Sequence, residues 1–166
     1  MLDKPTYPDQ EKSCLHCSEG TLRRTMDLIF YAHMELADRA DQVLADYKLG
    51  RPHHRVLYFV VQRPGITVNE LLSTLRITNQ AFSRTINQLV QMNLVEQRMG
   101  NGDRRYRCHY PTKEGVELSQ RLSQLQYEHV SECLKDVPMG DLGLFWDVLL
   151  RLVREQDRAW ITPTGG

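Results

Sequence analysis

The 166-residue sequence predicts a mainly helical α+β chain, six helices around one small β-hairpin. Three observations predict it. Apolar residues recur at helical spacing over long stretches at both ends of the chain. Two short segments between residues 67 and 91 each open on a threonine suited to cap a helix. One pair of strand-like runs, 94–99 and 106–110, flanks the tight-turn sequence Gly100-Asn101-Gly102-Asp103.

Each element has its own signal. Residues 1–18 are polar, contain Pro5 and Pro8 and lack periodicity, so they read as an arm. From Leu22 the apolar positions run through Met26, Ile29, Phe30, His33, Leu36, Ala37, Ala40, Val43, Leu44 and Tyr47, a first helix of seven turns. Gly50 and Pro52 close it and open a second helix over 52–62, which Pro64-Gly65 stops. Thr67 and Glu70 have capping-box spacing and begin a short third helix carrying Leu71, Leu72 and Leu75. Thr78 caps a fourth helix, 78–91, with Ala81, Ile86, Leu89 and Val90 facing inward. Its opposite ridge holds Asn79, Gln80, Ser83, Arg84, Asn87 and Gln88. Pro111 is expected to end the returning strand. Helical spacing resumes after Thr112 and reaches the region of Val137-Pro138. A last helix from about Gly140 carries Leu142, Phe145, Leu149, Leu152 and Trp160.

Composition sets the outer bounds. The chain is 41% hydrophobic and 25% charged, as ordinary globular proteins are. No apolar run approaches the ~18 residues of a membrane span, so no membrane partner is expected. The N-terminal residues lack the apolar region of a secretory signal, so the expected location is the cytoplasm. The formal net charge is zero, but it is unevenly spread. Residues 51–113 carry ten basic and three acidic side chains, +7, and the remainder carries −7. A basic middle between acidic ends is the distribution expected if the middle meets phosphate.

A short helix, a tight turn and a second helix with a polar face, followed by a hairpin with arginines at its tip, is the order of a winged helix-turn-helix. The chemistry suits double-stranded DNA. Amide, hydroxyl and guanidinium groups at Thr78, Asn79, Gln80, Ser83, Arg84 and Asn87 present donors and acceptors to base edges, and Arg84 can pair with guanine O6 and N7. A Gly-Asn-Gly-Asp-Arg-Arg tip offers a cation slender enough for a minor groove.

With Gly102-Asp103-Arg104-Arg105, Thr112-Lys113-Glu114-Gly115 and the order of six helices around one hairpin, residues 20–160 resemble the MarR family of winged-helix regulators. The resemblance implies that Asp103 braces Arg105, that Arg105 enters the minor groove and that Arg104 meets phosphate. The family's Leu-Thr before the next helix is Pro111-Thr112 here. The resemblance further implies a transcription regulator, expected to be a repressor, acting as a homodimer on a palindromic operator with half-sites one DNA turn apart. Broad apolar stripes on the outer helices support the dimer independently. The implied domain plan is an arm at 1–18, an N-terminal dimerisation helix at 19–50, a DNA-binding region at 51–113 and C-terminal dimerisation helices at 114–162. A small aromatic or phenolic effector is also implied, with His33, His53 and His54 as candidates for its site.

Other chemistries have weaker warrants. Cys14 and Cys17 make a Cys-x2-Cys pair around His16, but no partner pair completes a zinc site, and Cys108 and Cys133 lie on other elements. No metal site and no cofactor are expected. A thiol- or metal-responsive regulator of the same fold stays open as an alternative, as does a winged-helix module that binds protein instead of DNA. No nucleophile, base and orienting group cluster and no phosphate-cradling Gly loop appear, so an enzyme is not expected.

Overall fold

The computed structural model describes residues 17–99 and 107–161. Two compact units divide the chain, residues 1–35 and 36–166. In the first, the described part is the opening of helix α1 (Glu19–Asp46), where the Ser18 hydroxyl accepts the Thr21 N–H at 3.2 Å. Leu22, Met26, Phe30 and Tyr31 on this part are each more than half exposed.

The second unit is built around α2 (Arg51–Gln62), whose Val56, Leu57 and Val60 are at most 1% exposed. Ala40, Val43 and Leu44 from the end of α1 join the same core, as do Leu71 and Leu75 of α3 (Val68–Leu75). The core also takes Phe82, Ile86 and Leu89 of α4 (Asn79–Gln91) and Leu118 and Leu122 of α5 (Lys113–Leu134). Each such aliphatic or aromatic side chain contributes roughly 1.5–3 kcal/mol on burial, so this core is the main stabilising element.

The two expected caps, on α3 and α4, are present, and Thr112 adds a third on α5. Thr67 Oγ1 accepts the Glu70 N–H at 3.3 Å and Glu70 Oε2 accepts the Thr67 N–H at 2.9 Å, a complete capping box on α3. Thr78 Oγ1 accepts the Ala81 N–H at 3.2 Å on α4. Thr112 does two things: its hydroxyl accepts the Gly115 N–H at 3.0 Å and donates to the Asn93 carbonyl at 2.7 Å, tying the start of α5 to the loop before the hairpin. Caps of this kind are worth ~1 kcal/mol each.

Three differences from the sequence reading have physical causes. A two-residue strand β1 (Ile66–Thr67), too short for any periodicity, pairs with β3 (Arg107–Pro111), which in turn pairs with β2 (Val95–Met99); all pairs are antiparallel, in the order β1-β3-β2. Pro111 ends the pairing from within it, as the last residue of β3, standing opposite Val95 instead of just beyond the ladder. The Thr112 N–H donates to the Leu94 carbonyl, which makes Val95–Pro111 a non-hydrogen-bonded pair, so the missing proline N–H costs the β2–β3 ladder nothing.

The third difference is a seventh helix among the described residues. The expected last helix divides into α6 (Met139–Leu152) and α7 (Glu155–Arg158). Val153 and Arg154 between them are extended. The break lets the tail dock. Trp160 stands edge-on to Phe59 with centroids 5.3 Å apart, and the Arg63 guanidinium lies 4.6 Å above the Trp160 ring. Asp157 bridges Arg154 at 2.7 Å and Arg76 at 3.4 Å. An uninterrupted helix would forgo an aromatic contact of ~0.5–1.5 kcal/mol and a cation–π contact of ~0.5–1 kcal/mol. Among the described residues no helix is long and apolar enough to cross a membrane.

Candidate nucleic-acid interface

Helix α4 is held from behind and open in front. Phe82, Thr85, Ile86 and Leu89 are buried against the core, whereas Thr78, Asn79, Gln80, Ser83, Arg84 and Asn87 are all exposed. Ala81 does not face inward as the spacing suggests; it is exposed, and Phe82 fills that place, because a large aromatic ring gains far more from burial than a methyl. Ser83 Oγ donates to Asn79 Oδ1 at 3.4 Å, one turn apart on the exposed face. Arg84 makes no ion pair or hydrogen bond among the described residues.

The turn that delivers α4 is fixed from several sides. Arg76, the C-cap of α3, has φ 54°, a left-handed conformation few non-glycine residues adopt, and its N–H donates to the Leu72 carbonyl. Arg55 on α2 reaches across to donate to the Leu75 carbonyl at 3.0 Å, satisfying an end of α3 that has no helical partner. These contacts fix the angle at which the exposed ridge of α4 is presented, as a base-reading helix would require.

Gln88 belongs to this frame and not to the exposed ridge. It is half-buried. Its Nε2 donates to the Lys48 carbonyl at 3.1 Å, and its Oε1 lies 2.9 Å from His53 Nε2. His53 Nδ1 accepts the Gly50 N–H at 3.1 Å, so the other ring nitrogen carries the proton and donates to Gln88. Both nitrogens of His53 are therefore engaged. His54 is half-buried, its ring makes no hydrogen bond among the described residues, and desolvation holds its pKa below the ordinary value despite the nearby Asp41 carboxylate. His33 belongs to the other unit and is exposed.

Behind α4 the sheet contributes a wholly buried histidine. His109 packs edge-on to Phe82 with centroids 5.7 Å apart. The Ile66 carbonyl, 3.2 Å from Nδ1, can only accept, so Nδ1 carries the proton and Nε2 accepts from Gln97 at 3.3 Å. The neutral ring is fully satisfied. Burial lowers its pKa, the Ile66 hydrogen bond opposes this, and the Arg107 charge adds to the lowering. A histidine with a depressed folded pKa takes up its proton first in the unfolded chain, so stability rises with pH between the folded and unfolded values. Melting temperature should therefore be level above neutrality and fall as pH drops below about 6.5. His54 acts in the same direction, while the lowered Glu70 and Asp157 titrate at more acid pH. Thermal melts from pH 8 to 5 test this, and a melting temperature that holds level to pH 5 contradicts it.

The wing strands β2 and β3 stand beside this site, and Arg98 stacks on Tyr110 at 4.6 Å while pairing with Glu96. Asp103, Arg104 and Arg105 lie outside the described residues, as does Cys14. Cys17 and Cys133 are exposed free thiols, Cys133 with its Sγ 4.0 Å from His129 Nε2; Cys108 is a half-buried free thiol opposite Arg98 in β3.

Comparisons with known proteins agree on one family. Residues 47–105 match the model of the MarR family. The HTH-type transcriptional regulator PetP of Rhodobacter capsulatus is 33% identical over 115 residues, 69% of this chain and 69% of its own length. The transcriptional regulator SlyA is similar in structure with TM-score 0.68 at 15% identity, covering 82% of this chain and 96% of SlyA. MepR of S. aureus, in its DNA-binding conformation, is similar with TM-score 0.66 at 18% identity, covering 77% and 95%. At these identities the two solved structures speak to the fold.

Proposed function

The chain belongs to the MarR family of winged helix-turn-helix DNA-binding transcription regulators, and from that premise we propose that it works as a cytoplasmic homodimeric repressor on a palindromic operator. The observation that carries the DNA contact is the exposed ridge of α4, polar groups with few commitments of their own on a helix whose other face is locked into the core. Thr78, Asn79, Gln80, Ser83, Arg84 and Asn87 read base edges. Asp103, Arg104 and Arg105 form the wing contact, with Arg105 in the minor groove. The working division is a DNA-binding region at 51–113 between dimerising segments at 19–50 and 114–162, the first preceded by an arm at 1–18.

The exposed apolar residues of α1 and of α6, among them Leu22, Phe30, Phe145 and Leu152, support pairing with a second copy. Effector control by a small aromatic or phenolic acid follows from the family premise. It acts by changing the separation of the two α4 helices, and needs different affinity for the two dimer geometries. His54 is a candidate ligand for it, His33 on the other unit is a separate candidate, and His53, also a candidate by sequence, has both ring nitrogens engaged within the frame.

A duplex competition assay tests the reading: one sequence recovered from a random pool must outcompete bulk DNA. On that operator, Arg84→Ala or Asn79→Ala should cost ~1–3 kcal/mol and relax preference at one base pair. Arg105→Ala should weaken binding to all sequences and flatten the salt dependence by about one unit. Equal binding to every duplex would reject sequence-specific regulation.

A further inference from the structure

Most of the cations around α4 are already paired within the chain. Arg51 is held by Asp38 and Asp41, Arg55 by the Leu75 carbonyl, Arg63 by Glu70 and the Trp160 ring, Arg76 by Asp157 and Arg98 by Glu96. Four of these guanidinium groups face a carboxylate of the chain, and Arg55 is engaged by a backbone carbonyl. Arg84 and Lys48 differ. Neither side chain has a partner among the described residues, and both line one open groove, together with Tyr47, Asn87, Gln88, Gln91 and Met92.

Lys48 is far from the helix-turn-helix in sequence order but is fixed to it in space. Helix α1 ends at Asp46, and the chain turns back through Lys48 at φ 55°. The Lys48 N–H donates to the Ala45 carbonyl at 2.9 Å, and the next residue, Leu49, is buried and donates to the Leu44 carbonyl at 2.9 Å. The Lys48 carbonyl receives the Gln88 side-chain amide, whose orientation His53 sets. The backbone beneath the Lys48 ammonium is thus tied to α4 itself, and the cation is carried with that helix.

The groove continues the exposed stripe of α4. Gln80, Arg84, Asn87 and Gln91 are spaced by four, three and four residues, so they lie on one face, with the groove at its C-terminal half. A helix seated in a major groove must meet the sugar-phosphate strand at its rim. The occupant that fits two uncompensated cations, amides between them and an open-ended channel is an extended polyanion.

We infer that the Tyr47–Lys48 turn is a second phosphate-binding element, in which Lys48 takes a backbone phosphate of the strand whose base edge Arg84 reads. This rests on the DNA-binding reading above and is independent of the wing. The contact positions α4 along the duplex without adding base preference.

The test uses the full chain, its selected operator and a scrambled duplex at several salt concentrations. Lys48→Ala should lose roughly tenfold in affinity equally for both duplexes and reduce the log–log salt slope by about 0.9. Lys48→Arg should retain the slope. The interactions that hold the turn are made by the Lys48 backbone, and alanine meets the same left-handed strain, so melting temperature should stay near the wild-type value. A wild-type slope and affinity in Lys48→Ala, with the operator still preferred, overturns this inference alone. An unmodified chain that binds neither duplex overturns it together with the DNA-binding reading.

Discussion

Gly115→Ala should be the most damaging single methyl in the described chain, costing about 3 kcal/mol or more. Gly115 occupies the first turn of α5, where its N–H is held by the Thr112 hydroxyl. A Cβ at this position would stand 2.0 Å from the Leu94 carbonyl oxygen and 3.4 Å from Leu57 Cδ1. The close neighbour is backbone, and that backbone cannot swing aside. The Leu94 carbonyl accepts the Thr112 N–H at 3.2 Å and the Leu94 N–H donates to the Leu89 carbonyl at 2.9 Å. Relief requires α5 to lift off the loop that joins α4 to the hairpin, opening the contact with Leu57 in the centre of the core. Since α4 ends into that loop, the loss reaches α4 as well. Chemical denaturation should show the midpoint falling with little change in slope, and a variant as stable as wild type would mean that α5 does not pack on Leu94 as described.

What the sequence disclosed and what it withheld divide along a physical line. Features set by local rules were legible. The Thr67–Glu70 box, the Thr78 cap, the helix start after Thr112, the Pro64-Gly65 stop and the strand pair around residue 103 all follow from residues within a few positions of one another, and the described ones formed as expected. Features set by long-range contact were not. β1 exists only because β3 offers it a partner more than forty residues away, as the Ile66–His109 register makes plain. The division of the last helix depends on Trp160 finding Phe59 and Arg63, a hundred positions earlier.

The exposed ridge of α4 was legible in the same partial way. Its spacing separated a polar from an apolar face, yet it counted Gln88 with the ridge and Ala81 with the core. Only tertiary contacts decide those two: Gln88 has His53 and the Lys48 carbonyl to satisfy, and Phe82 takes the buried place beside His109. Lys48 carried no signal at all. It is one lysine after a helix end, and its significance comes from which other cations are already paired. A sequence gives the number of charges in a segment; a structure gives the number left over.

Phe145→Glu should convert the protein to a monomer and reduce operator affinity by at least a hundredfold, the largest functional effect proposed here. The side chain is 51% exposed in the single chain and sits on α6, where Leu144, Trp146, Val148, Leu149, Leu150 and Leu152 are exposed too. Only Leu142 of that helix is buried. A fourteen-residue helix with apolar side chains on nearly every side has no stable place in water, and the isolated subunit covers one of its faces at most. In a two-fold dimer the same residue is lost from both copies. Removing an apolar contact forfeits roughly 1.5–3 kcal/mol and burying a carboxylate without a partner costs more, so two copies amount to on the order of 6 kcal/mol, about four decades in the dimer dissociation constant. The exposed starting position matters to the interpretation, because the substitution removes little that holds one subunit together. Sedimentation should give the mass of one chain for Phe145→Glu and of two for wild type, with similar melting of the secondary structure at dilution. On the proposed palindromic operator a monomer would meet a single half-site and forfeit the second set of proposed α4 and wing contacts. Should the variant sediment as wild type does, α6 is not the dimerising face, and its apolar surface must serve another partner.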